Sequence, residues 1–211
     1  MRRIAFLAAL LLAYGCGSPP KPVETKPNAA GCCARYSDFT FEPLPLGKEV
    51  KLTVSEASPV FNFAGGASHF VALRIPQEFD KGTFIVRSHP ERSSGLVPSY
   101  FFPAVTFLDE RHGELATLSD ERFAFSSYGF GGEQTFVAQI PVPAGARYAV
   151  IHTPRNKVGT QHAVSAEVPS NVIVGPALIP LPDRRVTKTP RLGPTGSVTA
   201  SLLPPGQGKA R

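Results

Sequence analysis

Tryptophan is absent from this chain, methionine occurs once, and cysteine occurs three times in 211 residues. Three cysteines are too few for a disulfide-knotted scaffold. Charged residues make up 18% against 42% hydrophobic ones, a balance that excludes wholesale disorder and a coiled coil. No stretch reaches the roughly 18 consecutive apolar residues of a spanning helix, so a polytopic membrane protein is excluded too. What the chain does hold is 15 Phe, 22 Pro and 19 Gly. Pro and Gly together stay below the roughly 25–30% that marks low-complexity sequence. Abundant Phe without Trp and with a single Met points to β-rich packing rather than a helical bundle.

The N-terminus reads as an address. Arg2 and Arg3 form a positive start, and residues 4–13 form an apolar block. That block is too short to span a bilayer as a helix but has the length of a secretory core segment. Ala13-Tyr14-Gly15-Cys16 then resembles a bacterial lipobox. Residues 1–15 are therefore expected to be a lipoprotein signal peptide and Cys16 the lipidated residue, a membrane anchor that gains about 0.8 kcal/mol per buried CH₂. Gly17 stands where an Asp would favour retention in the inner membrane, so the expected location is the outer membrane, facing the periplasm. The following SPPKPVETKPNAA carries four prolines and one large apolar residue, Val23. As extended polyproline II, such a segment reaches roughly 40 Å, and residues 16–31 read as lipidated Cys plus tether.

The basic balance is local. Residues 183–211 hold Arg184, Arg185, Lys188, Arg191, Lys209 and Arg211 against Asp183 alone, while the body is close to neutral. A nucleic-acid binder would show a basic face with interleaved aromatics on its folded part, so no nucleic-acid partner is expected. Contact of this basic segment with anionic lipid heads or wall polymer is one reading. A soluble Pro/Gly-rich tail is the favoured one.

Cys32 and Cys33 are adjacent. An oxidising compartment disfavours free thiols, and adjacent cysteines close only a strained ring. A vicinal disulfide, a cross-link to another chain and two reduced thiols all stay open, with the vicinal bridge favoured and its role structural. No Cys-x-x-Cys accompanies the pair, so no metal is expected there.

From Cys32 onward, short β-like runs alternate with Gly, Pro and Asp. A short helix is expected over residues 32–37. Val50, Leu52 and Val54 repeat every second residue, the period of a half-buried strand. Residues 60–63 and 68–75 flank Ala64-Gly65-Gly66-Ala67, a hairpin signal. Further strands are expected at 83–87, 100–108 (YFFPAVTFL, with Pro103 at a bulge or edge), 114–118, 134–140, 147–153 and 197–203. Residues 174–194 read as a Pro-rich connection. Eight or nine strands without a long helix indicate an all-β fold, an antiparallel β-sandwich of jelly-roll type, with Pro-rich tails. It forms a single domain over 32–203, followed by a disordered tail at 204–211.

No catalytic or metal motif stands out. There is no His-Glu-x-x-His or Gly-x-Ser-x-Gly, and the five histidines stand apart. Asp109-Glu110 and Asp120-Glu121 read as solvated pairs in preference to weak Ca²⁺ sites, since spaced EF-hand ligands are lacking. Gly129-Phe130-Gly131-Gly132 is not followed by a helix pattern that could hold a phosphate. It reads instead as a loop presenting Tyr128 and Phe130, whose rings could stack on a sugar, although packing beneath the loop is the simpler role. Catalytic residues, metal and cofactor are all expected to be none.

Cys32-Cys33, SPVFNFAGGASHFVALRIP (58–76), FFPAVTFLDE (101–110) and GPALIPLPD with GPTGSVTASL (within 175–202) together resemble the maltose-operon periplasmic protein family. The resemblance runs through most of 32–203, with the lipobox and a shorter C-terminal portion as departures. It implies a periplasmic protein tied to maltose and maltodextrin uptake, with no established enzymatic activity, and carries over only Cys32 and Cys33 as a characteristic pair. The expected function is thus a non-catalytic lipoprotein accessory to carbohydrate transport, partnered by the membrane through its lipid and by a weakly bound glycan. The alternative is a structural or assembly module that binds other envelope proteins or cell wall.

Overall fold

The computed structural model describes residues 31–91, 99–119, 124–127, 134–161, 163–174 and 177–205. Expectations placed on the signal peptide, Cys16, the tether to residue 30, Tyr128, Phe130 and residues 206–211 lie outside them. The described chain is mostly β, in several mainly antiparallel sheets. Its strands are β1 (Glu42–Pro43), β2 (Val50–Val54), β3 (Val60–Phe63), β4 (Gly66–Arg74), β5 (Thr83–Ser88), β6 (Ser99–Phe101), β7 (Ala104–Leu108) and β8 (Glu114–Ser119). After them come β9 (Ala124–Ser127), β10 (Gln134–Pro141), β11 (Tyr148–His152), β12 (Val164–Val174), β13 (Ala177–Lys188), β14 (Arg191–Gly193) and β15 (Gly196–Leu203).

One sheet runs β1-β4-β11-β7-β8, with β3 paired to the first half of β4. A second runs β2-β15-β5-β10-β9, antiparallel throughout. Their facing sides share one core: Leu73, Phe107 and Ile151 from the first sheet lie with Val54, Phe84, Phe136 and Val198 from the second. The Phe84 and Phe107 rings meet edge to face at 5.9 Å across the two layers. The alternation of β2 has its reason here, because Leu52 and Val54 are buried while Lys51 and Thr53 are exposed.

The first sheet departs from simple alternation. Ala149 and Ile151 face the shared core, but Val150 between them is equally buried in a second apolar cluster with Phe39, Phe63, Phe70, Ala72 and Leu108. Both faces of this sheet are therefore covered. The cover is the segment before β1, which brings Cys33, Tyr36, Phe39 and Phe41 onto the outer face.

Several expectations need correction. The helix over 32–37 is a single 3-10 turn, Tyr36–Asp38. Its entry is held by the Asp38 carboxylate, which accepts the N–H groups of Ala34 and Arg35 at 3.2 and 3.0 Å. The run 100–108 is two strands in different sheets. Proline has no N–H to continue a ladder, and the chain breaks at Phe102-Pro103, so β6 pairs in parallel with β14 while β7 joins the first sheet. The connection 174–194 is largely strand, because β12 and β13 form a long two-stranded ribbon and β14 follows. Among the described residues strands number fifteen rather than eight or nine, the extra ones being short edge pairs and this ribbon.

Gly82 marks a tight crossing between β5 and the end of β15. It has φ 152°, and a Cβ there would collide with the Leu203 carbonyl oxygen. We expect Phe107→Ala, at a fully buried ring, to lower unfolding free energy by about 3–5 kcal/mol. Leu115→Ala, at a 41% exposed side chain, should change it by less than about 0.5 kcal/mol. Urea titration of both variants checks the pair, and equal effects would contradict the assigned core.

Candidate functional site

The outer face of the first sheet carries close aromatic packing and a connected chain of polar side chains. Cys32 and Cys33 are joined to each other by a disulfide at its margin, and the Cys32 N–H donates to the Val60 carbonyl at 3.0 Å. From this point the chain lays Phe39 flat on Phe70, centroids 4.2 Å apart, and edge-on to Phe61 at 5.0 Å. Tyr36 closes the row against Phe61 at 5.0 Å. Offset and edge-to-face pairs of this kind each add about 0.5–1.5 kcal/mol beyond area burial.

Beneath this layer a hydrogen-bonded chain runs inward from the surface. Tyr36 Oη donates to Glu114 Oε2 at 2.9 Å, and Thr117 Oγ1 donates to Glu114 Oε1 at 2.8 Å. Thr106 Oγ1 lies 2.8 Å from Thr117 Oγ1 and 3.1 Å from His152 Nε2. Because Thr117 gives its proton to the carboxylate, Thr106 donates to Thr117, and His152 must donate from Nε2. The tautomer is thereby fixed, and its Nδ1 is left buried with no partner. The ring is only 2% exposed and stacks on Phe63 at 3.8 Å with planes 3° apart. Burial lowers the His152 pKa to about 4. Burial pushes the Tyr36 phenol up, and the Glu114 carboxylate reinforces that direction. Asp38 is held below the usual carboxylate range, first by the Arg35 N–H.

One end of this face opens to solvent. Phe41, Tyr148 and His112 form a half-buried stack, with Tyr148 4.3 Å from Phe41 and 4.5 Å from His112. His112 reaches it from the turn after β7, where it takes φ 63°. Asp109 Oδ1 holds that turn by accepting the N–H groups of Arg111 and Gly113 at 2.8 and 2.7 Å. An open hollow of about 330 Å³ is lined by Asp109, Glu110, Arg111, Gly145 and Arg147, of which Arg111 and Arg147 are the chain neighbours of His112 and Tyr148. Carboxylates and guanidinium groups can bind the hydroxyls of a polyol, and half-exposed rings can meet its C–H face.

The structure thus brings Cys32 and Cys33 together, while Cys16, Tyr128 and Phe130 lie outside the described residues. Among the described residues no three His, Cys, Asp or Glu side chains are grouped to hold a metal. Sequence reasoning missed the Phe41–Tyr148–His112 stack and read Asp109-Glu110 as solvated charge in preference to a weak Ca²⁺ site. Its signal was present only as an Asp-Glu-Arg-His-Gly turn and an Arg-Tyr pair entering a strand, far apart along the chain. Compared with models of protein families, with curated proteins and with solved structures, the chain finds no match.

His152 gives a pH test with a defined sign. Its folded pKa of about 4 lies below the unfolded value of about 6.5, so the unfolded state takes the proton first. The stability it lends is complete above pH 6.5 and is lost as pH falls towards 4, by up to about 3 kcal/mol. Denaturant titrations at several pH values should show this decline in the parent protein and a flatter profile in His152→Gln. Identical profiles would contradict a buried neutral imidazole.

Proposed function

We propose that this chain is a non-catalytic envelope lipoprotein, anchored through Cys16 in the outer membrane and facing the periplasm, that assists maltodextrin-type carbohydrate transport by weak glycan binding. The architecture we read for it is a β-sandwich of jelly-roll type. The observation that carries the reading is the half-buried Phe41–Tyr148–His112 stack, whose His112 and Tyr148 are the chain neighbours of Arg111 and Arg147 in the hollow with Asp109 and Glu110. The resemblance to the maltose-operon periplasmic protein family and the lipobox at 13–16 support it from the sequence side.

The geometry also bears on affinity. Stacking contributes about 0.5–1.5 kcal/mol per ring pair, and a hydrogen bond to a charged group about 1.5–3 kcal/mol. An open hollow leaves much of a sugar in water, so only a few such contacts form at once. A net of about −4 kcal/mol corresponds to a dissociation constant near 1 mM. That strength suits a protein that passes a solute on.

Titration of the ¹⁵N-labelled protein with maltoheptaose to about 10 mM should move the amide signals of residues 109–113 and 145–148, with half-saturation near 1 mM. Tyr148→Ala should weaken binding roughly tenfold, the loss of about 1.4 kcal/mol, while leaving the remaining spectrum in place. A spectrum unmoved at the highest sugar concentration would end the glycan reading.

A further inference from the structure

The β12–β13 ribbon is separate from the site described above. Its strands run for eleven and twelve residues and form a two-stranded sheet of their own, with β12 passing beside β9. A lone two-stranded ribbon is marginal in water and needs a further surface against it.

Register and sequence show what kind of surface. The three end rungs, Val172 with Ile179, Ile173 with Leu178, and Val174 with Ala177, are apolar on both strands. The next two, Asn171 with Pro180 and Ser170 with Leu181, are mixed, and beyond the register shift Val168 stands opposite Arg184. Arg185 is opposite Glu167, an ion-pair register, whereas Arg184 and Lys188 are opposite Val168 and Val164. Arg184 and Lys188 therefore occupy positions on the face that also holds Val164, Ala166 and Val168. The ribbon is apolar at its end, and towards its base it carries Arg184, Arg185 and Lys188 against Glu167 and Asp183.

Two occupants compete for such an element, another strand and a lipid leaflet. Pairing of another strand needs main-chain donors along a free edge, and Pro169, Pro180 and Pro182 remove three of them. A leaflet needs no such donors at the interface, and the dimensions suit it. At about 3.4 Å per residue the three apolar rungs span roughly 7 Å, within the roughly 5–10 Å to which interfacial elements sink. Arg184 stands about 20 Å and Lys188 about 34 Å from the end on the same spacing, and a ribbon lying at a low angle to the membrane plane brings both to headgroup level. The mixed rungs fall between. A deeper insertion is excluded by the open edges, whose main-chain groups cannot be left unpaired in hydrocarbon.

We propose that the β12–β13 ribbon is a membrane-surface arm that docks on an anionic lipid leaflet, its apolar end at the acyl boundary and Arg184 and Lys188 at the lipid phosphates. Docking at this second point would hold the body at a set distance and orientation to the membrane, independently of any sugar in the hollow.

The test uses the full chain with Cys16→Ser and Leu178→Cys, labelled at residue 178 with an environment-sensitive fluorophore. The Cys32–Cys33 disulfide is kept oxidised. A second chain labelled through Glu110→Cys reports the body. With vesicles of phosphatidylcholine containing 30% phosphatidylglycerol, the label at 178 should shift to the blue and be quenched by acyl-chain nitroxide lipids, while the label at 110 stays aqueous. Arg184→Glu with Lys188→Glu should weaken this response by at least tenfold, on the expectation of about fivefold for each basic residue lost. Pure phosphatidylcholine should give a similarly weak response. An aqueous label at 178 on vesicle-bound protein would overturn the proposal. So would a blue shift that needs no vesicles and grows with protein concentration, which would assign the ribbon to a second copy of the chain.

Discussion

The constraint on which the structure depends is that the central strands of its first sheet are covered on both faces. β4, β7 and β11 direct one set of side chains into the core shared with the second sheet and the other into a separate apolar cluster. A sheet of that kind cannot stand with one side in water. Burying its outer face gains roughly 25 cal/mol per Å² of apolar surface, and residues 31–41, at the start of the described chain, supply the cover. The disulfide, the 3-10 turn and the short parallel pairing of β1 with β4 all serve to place that cover.

The covered face also explains where the polar chemistry goes. An interior hydroxyl or imidazole must find partners, and Thr106, Thr117 and His152 find them in a line ending at the Glu114 carboxylate near the surface. One nitrogen at the inner end stays unpaired, against the flat of Phe63. Where the aromatic cover runs out, at Phe41 and Tyr148, the same kind of rings become half-exposed and stand next to charged groups. The candidate sugar site is thus the frayed margin of a packing layer rather than a pocket set into the fold.

Legibility in the sequence followed burial. β2 was readable because only one of its faces is covered, so Val50, Leu52 and Val54 stand out against Lys51 and Thr53. The run from Tyr100 to Leu108 was not, because it is buried on every side and has no period. Its one informative residue, Pro103, marks the step from one sheet to another rather than a bulge. The ribbon was hidden by its prolines, which read as a connection although strands tolerate them at free edges. The site residues were hidden for another reason: Phe41, His112 and Tyr148 come from three separated segments, and only the fold of the outer cover joins them.

The position of the Cys32–Cys33 pair has a mechanical consequence. Any pull on the chain from the side of residue 31 enters the fold there, through the single Cys32 to Val60 hydrogen bond and then the ring stack of Tyr36 and Phe39. Tension from that side would peel this layer one contact at a time, baring Phe70 and Val150, before it loaded any central strand. The opposite terminus leaves from β15, which is bonded to β2 and β5 on its two sides and would resist in shear. The molecule is thus compliant at one end and stiff at the other.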